Sequence, residues 1–498
     1  MSETVTGEAL RAVRAALADT AAWLVGGAPR DRALGRDTFD LDIVVDTPAE
    51  TAARAIARAA GAAACFELSE DFSSWRVLAR DRSWQVDVQP MRGGSLSADL
   101  ALRDFTVNAI AEPIAGGEPI DPLGGAADLA AHRLRMASSH AFADDPLRVL
   151  RLVRLALDLG LDPDADTTRA ASLAAPRLRS VSGERVFMEL RRILASPRAL
   201  DGMALMDSLG IVAAVLPELD ALRDVQQSRY HHRDVHGHTL EVLEHTIALQ
   251  ADPAATLGSA ELADPIAELL CEPLADELTR GEALRWGALL LGETGMRAEG
   301  ACLPASAAKP LTGAVRPDGA VTFLEHDARG AELARTVLER LRASERLRAH
   351  VAGLVRHHLR LGFLVHEPQP LARRTVFDYL QVTAPVEVDV TLLSVADRLA
   401  GLSSIGRGGR AAESIDAHMR LSRQMLADAL RWRADGPSPP LWRGDELAAE
   451  LAVRTGPRLG EILRELAAAQ YAGEISTREQ ALAHARDFLA ASSTLRGG

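Results

Sequence analysis

The sequence predicts an N-terminal α/β domain followed by an all-α remainder. Three observations lead there. Short runs rich in Val, Ile and Trp, at residues 23–25, 40–45, 75–79 and 84–90, alternate with glycine turns and an Ala-rich helical stretch. Beyond residue 136 the apolar spacing is helical almost throughout. At 498 residues, with 47% hydrophobic and 25% charged, the chain is ordinary for a globular protein and long enough for several domains.

Charge and cysteine content narrow the class. A net charge of −13 argues against general adhesion to nucleic acid, although an average over the chain does not describe a local groove. Lys309 is the only lysine, so arginine carries nearly all the positive charge. Cys65, Cys271 and Cys302 lie far apart and form neither a disulfide framework nor a zinc spacing. The start of the chain lacks a secretory pattern and no segment approaches a membrane span, so a cytoplasmic protein without membrane partners is expected.

In the first domain, Trp23, Leu24 and Val25 form an apolar run that stops at Gly26 and Gly27. Pro29 then suits a first helical turn, and Gly35 ends that short helix. Next comes DLDIVV, in which Asp40 and Asp42 stand at i and i+2 and so share one face of a strand. Two adjacent carboxylates repel unless a cation lies between them, and hard oxygen ligands favour Mg²⁺. A helix is expected over 48–63, with Thr47 as its N-cap and Pro48 in its first turn. The strand WQVDVQP brings Asp87, a third acid that could complete a two-metal site. LRDFTVNAIA supplies Arg103, Asp104 and Asn108, whose guanidinium and amide groups are hydrogen-bond donors suited to anionic and hydroxyl oxygens. DPLGGAADL, residues 121–129, reads as a structural turn.

The second region is helical. FADDPLRVLRLVRLALDLGL starts at Asp144-Asp145-Pro146 and places Arg148, Arg151 and Arg154 on one helix face. Residues 200–400 are helical too, interrupted by an Ala/Pro/Gly-rich loop near 303–319. Histidines concentrate here, and GPRLGEIL near the end has a Gly-Pro break before a helix.

GGAPRD before DLDIVV, then LRDFTVNA, DPLGGAADL, DDPLRVLR and GERVFMELRRIL, resemble in content and order the tRNA nucleotidyltransferase and bacterial poly(A) polymerase family. Pro29 and Leu102 depart from the family pattern. The resemblance implies a DNA-polymerase-β-like catalytic head at residues 1–135, a helical neck at 136–200, a helical body at 201–405 and a tRNA-contacting helical tail at 406–498. It implies that Asp40 and Asp42 hold Mg²⁺, with Asp87 as third catalytic carboxylate. Gly26, Gly27, Arg30 and Arg103 would bind nucleotide, and Asp104 with Asn108 would hold its ribose. Asp145 and Arg148 would read the base, because Arg donates where C and A present acceptors and Asp accepts from their amino groups. Arg151 and Arg154 would then face the triphosphate.

In the body, His238, His326, His358 and Asp397 resemble ligands of an HD phosphohydrolase domain, but Gly292 and Glu293 stand where the adjacent His-Asp should be. A degenerate domain without hydrolase activity is therefore expected. The activity expected is addition of C and/or A from CTP and ATP to the 3′ end of tRNA. The alternatives are a poly(A) polymerase and a catalytically silent RNA- or nucleotide-binding protein. In the family a flexible loop before the RDFT block supports the switch from C to A addition; here that segment, residues 89–102, is short. Efficient C addition with poor A addition is the expected consequence.

Overall fold

In the computed structural model the described residues are 5–38, 40–62, 64–69, 73–225, 234–291, 313–315, 321–323, 326–401 and 409–494. They divide into two compact units, Met1–Val215 and Leu216–Gly498.

The first unit opens with helix α1 (Val5–Ala16), strand β1 (Ala22–Val25), helix α2 (Gly27–Ala33) and strand β2 (Asp40–Val45). Helix α3 (Ala49–Ala60) follows, capped by Pro48 rather than Thr47 and closed by Gly61 in the left-handed conformation. Strands β3 (Ala64–Ser69), β4 (Ser74–Leu78) and β5 (Gln85–Pro90) come next. The sequence reading has no strand at β3: Ala64, Glu67 and Ser69 have little β preference, and pairing with β4 holds it extended. With β6 (Glu112–Pro113) the strands form one sheet in the order β3-β4-β5-β2-β1-β6. β2 and β5 run parallel at its centre, and the other pairs are antiparallel.

Strand alternation sorts the side chains onto two faces. Leu24, Ile43, Val45, Val86 and Val88 pack with Val13 and Ile56 of α1 and α3. Burial of each such side chain contributes about 1.5–3 kcal/mol. Val25 and Val44 point the other way and pack against Leu100, Ala109 and Ala111. By the same alternation Asp40, Asp42 and Asp87 belong to this second face, beneath helix α4 (Leu96–Ala101) and the block that follows it.

Helix α5 (Gly125–Ala130) is seated by DPLGG: Asp121 accepts from the Gly125 and Ala126 amides at 2.8 and 2.9 Å. A Cβ on Gly125 would lie 2.0 Å from the Thr106 carbonyl oxygen, so only glycine lets this turn approach the RDFT block. The neck begins with α6 (Ala141–Asp144) and α7 (Arg148–Leu159). Asp145 is extended between them, so the long helix begins just after the Asp144-Asp145-Pro146 start expected from sequence, and the short α6 before it was not expected. α8 (Ala165–Ala174) and α9 (Gly183–Ala195) follow, and Val149, Leu150, Leu152 and Val153 of α7 are fully buried.

The second unit is helical apart from two short antiparallel strand pairs, Pro273–Ala275 with Leu278–Thr279 and Gly313–Val315 with Val321–Phe323, and it includes the tail helices Gly444–Glu450, Pro457–Ala472 and Arg478–Thr494. His238 Nε2 lies 3.0 Å from Asp397 Oδ1, and His358 Nδ1 lies 2.6 Å from the Val355 carbonyl. Gly292, Glu293, the side chain of His326 and most of the expected 303–319 loop lie outside the described residues. Among the described residues no helix is long and apolar enough to cross a membrane.

Candidate active site

β1 ends at Gly26, whose φ of 75° and ψ of −132° turn the chain into α2. β2 pairs with β1 so that Asp42 faces Val25, and with β5 so that Asp42 faces Asp87. Asp42 is thereby flanked by β1 on one side and β5 on the other. A Cβ on Gly26 would lie 2.4 Å from Asp42 Oδ2, so the glycine leaves room for that carboxylate. Burial pushes the Asp42 pKa up to about 6; Asp87 and Asp40 add to the rise, while Arg103 and Arg151 oppose it. A carboxylate resisting ionisation among like charges is stabilised by a hard cation, and the all-oxygen donors of Asp40 and Asp42 suit one.

Asp87 is differently engaged. Arg76 of β4, its partner in register, donates from Nε and Nη2 to the two Asp87 oxygens, each at 2.7 Å. Among the described residues no group of three or more His, Cys, Asp or Glu is placed to hold a metal. Asp40 and Asp42 thus remain the paired carboxylates of this face, with Asp87 beside them and tied to Arg76.

The RDFT block supplies a buried hydrogen-bonded chain. Arg30 Nη1 donates to Asn108 Oδ1, and Asn108 Nδ2 donates to Asp104 Oδ1 at 3.0 Å. Arg151 of α7 donates to Asp104 Oδ2 from Nε at 2.9 Å and from Nη2 at 2.6 Å. The Phe105 amide adds a further bond to Asp104 at 2.8 Å. Burial alone would raise the Asp104 pKa, but Arg151, Asn108 and the amide outweigh it and hold it at about 2. The glycine turn and the neck helix are thus joined through one ionised carboxylate. This depression stabilises the fold above pH 4 or so and is lost as pH falls towards 2. Asp104→Asn should flatten that acid-side loss of stability, measured by urea melts across the interval; an unchanged slope would remove the assignment.

Asp145 accepts from the Leu147 amide at 3.1 Å and from Arg185 Nη2 of α9 at 2.7 Å. Arg148 Nη1 donates to the Arg103 and Ala141 carbonyls at 3.2 and 3.1 Å, and its Nη2 to that of Leu102 at 2.8 Å. Arg154 turns instead to Glu189 at 2.6 Å and Asp158 at 3.3 Å. An open cavity of about 210 Å³ brings together Arg103, Asp104, Asp145, Arg148 and Arg151, with Leu147 in its wall. Arg154 is not in its lining, nor are Arg30 and Asn108, which support it from behind. Arg92 and Arg185 complete the lining and were not singled out from sequence. The one signal for Arg92 was its place beside Gly93 and Gly94; Arg185 stood inside GERVFMEL without a role. Five guanidinium groups against two carboxylates make this a site for a polyanion.

A family model described as the poly A polymerase head domain matches residues 22–135. A second, the probable RNA and SrmB-binding site of polymerase A, matches 160–223. An A-adding tRNA nucleotidyltransferase of Deinococcus radiodurans is 35% identical over 92% of this chain and 94% of its own. A CC-adding tRNA nucleotidyltransferase of Thermus thermophilus is 31% identical over 93% and 92%. A Thermotoga maritima CCA-adding enzyme, solved in complex with tRNA, shares the fold with a TM-score of 0.59 at 17% identity, covering 97% of this chain and 94% of its own. Relatives of this kind imply use of a divalent metal. Identity sustained over nine-tenths of two such enzymes, on a head carrying the paired carboxylates and the arginine-lined cavity, places this chain in the tRNA nucleotidyltransferase family, as an enzyme of template-independent nucleotidyl transfer.

Proposed function

We propose that the chain adds the C residues of the CCA end to tRNA from CTP, acts in the cytoplasm, and adds the terminal A poorly. The observation that carries this reading is the segment before Arg103. Met91 to Leu102 is a glycine turn and a short capped helix: Ser95 Oγ accepts from the Ala98 amide at 3.2 Å, and Asp99 is fully buried. A segment held this way has little freedom to rearrange from a pyrimidine to a larger purine.

In the reaction the tRNA 3′-hydroxyl attacks the α-phosphorus of CTP and pyrophosphate leaves. Asp40 and Asp42 would hold Mg²⁺, which supplies a Lewis acid for the phosphates and for the hydroxyl. Asp145 and Arg148 orient the base. The carbonyls of Leu102, Arg103 and Ala141 fix the Arg148 guanidinium in place, so its remaining N–H groups are pre-aimed. C and A match that donor and acceptor pattern, whereas G and U leave it mispaired. The histidine-bearing body is read as structural or RNA-contacting.

The Deinococcus relative favours a second reading, A addition onto a tRNA already ending in CC. One experiment separates them. The purified protein is given tRNAs ending before CCA, after C and after CC, with labelled CTP or ATP, and products are resolved at single-nucleotide length. Rapid CTP incorporation on the first two and slow ATP incorporation on the third is expected. Conversion to the full CCA end at matching rates, or ATP incorporation alone, would overturn the proposal.

A further inference from the structure

We infer that Arg92 is a triphosphate-binding residue and that buried Asp99 positions it together with Arg103. The inference deepens the nucleotidyl-transfer reading and rests on it. It follows from counting hydrogen-bond donors in the cavity. Arg151 places two nitrogens on Asp104, Arg148 places two on backbone carbonyls, and Arg185 is paired with Asp145. The two remaining arginines, like Arg185, each place a single nitrogen on a carboxylate, and both place it on Asp99. Arg103 donates from Nη2 to Asp99 at 3.3 Å, and among the described residues its buried Nε has no hydrogen-bond partner. Arg92 donates from Nε to Asp99 at 3.2 Å, and among the described residues neither of its terminal nitrogens has a protein partner.

Arg92 is partly exposed in the cavity lining, so a ligand oxygen can reach its terminal nitrogens, with the Arg103 guanidinium beside it in the same lining. Both arginines hang on one carboxylate that is 0% exposed. Asp99 also accepts from the Arg92 backbone amide at 3.1 Å, so it fixes the turn as well as the side chain. Its two oxygens are divided between the arginines: Oδ1 takes Arg92 and Oδ2 takes Arg103. The result is a two-armed cationic clamp with fixed spacing. Planar forked donors of this type suit phosphate oxygens, and an electrostatic clamp does not distinguish one base from another.

The test uses the full-length protein with Mg²⁺. Pyrophosphate binding is measured by calorimetry, alongside KM and kcat for CTP and ATP, for wild type, Arg92→Met, Arg92→Lys and Asp99→Asn. Arg92→Met should weaken pyrophosphate binding about tenfold and raise both nucleotide KM values by a common factor, with kcat changing far less. Arg92→Lys should restore part of the loss, and Asp99→Asn should reproduce it at an unchanged circular dichroism spectrum. Pyrophosphate affinity and KM within twofold of wild type in Arg92→Met would overturn the inference. So would a wild type that does not bind pyrophosphate. A wild type that binds pyrophosphate in an Arg92-dependent way, yet transfers no nucleotide, would instead overturn the nucleotidyl-transfer reading. Since Arg92 is partly exposed and among the described residues its side chain is paired with Asp99 alone, its variants report even if Asp99→Asn fails to fold.

Discussion

Asp42→Ala is expected to lower nucleotide transfer by about a thousandfold or more, equivalent to roughly 4 kcal/mol of transition-state stabilisation. The same change should not lower the stability of the metal-free protein. The sign follows from the raised pKa. An unfolded Asp ionises near pH 4, whereas burial and the neighbouring Asp87 and Asp40 hold folded Asp42 at about 6. Between those values the native state binds the extra proton, so stability declines as pH rises through the interval and the cost persists above it. Removing the carboxylate removes that cost. Loss of activity with an equal or higher melting temperature at pH 7.5 or so separates a functional carboxylate from a structural one. Near wild-type incorporation by Asp42→Ala, with its fold intact, would refute the assignment.

Gly26→Ala should be nearly as damaging, for a different reason. The new methyl group would stand 2.4 Å from Asp42 Oδ2 on a backbone with φ of 75°. With ψ at −132° this is a glycine-only conformation outside the left-handed helical region, and it costs an alanine about 1–3 kcal/mol. The displaced carboxylate should cost far more in rate, about a hundredfold for a shift approaching 1 Å. Gly35→Ala is the matched control. Its φ is 68°, and a Cβ there meets nothing within 4 Å, so it carries the backbone cost alone. A loss of stability in both variants, larger in Gly26→Ala because of the added contact, with activity lost only in Gly26→Ala, is expected. Equal activities would show that the glycine serves the turn and not the carboxylate.

These residues also show what the sequence discloses. Asp40 and Asp42 were legible because strand alternation is local: i and i+2 share a face in any strand. The glycine turn, Asp87, the RDFT block and Asp145 with Arg148 were legible as motifs. The partners of those residues were not. Arg76 and Asp87 meet only because β4 and β5 pair, and Arg154 turns to Glu189 only because α7 lies against α9. Asp99 stands four residues before Arg103, a spacing that suggests a pair along a helix. Nothing local shows that it is wholly buried, or that the turn at Arg92 folds back to it. β3 was missed because its extended form depends on the neighbouring strand.

The parallel pairing of β2 with β5 has a kinetic meaning. Consecutive strands can zip through short turns, but these two are joined by α3, β3 and β4, so their contact closes a long loop. Such closure loses chain entropy before any contact rewards it, which makes it a slow and late event. The enclosure of Asp42 by Asp87 depends on that event. A chain leaving the ribosome exposes the DLDIVV acids early, as solvated carboxylates with no unusual affinity. They gain Asp87 as a neighbour only when β5 has been synthesised and docked, so the crowding of like charges around Asp42 is a property of the completed sheet.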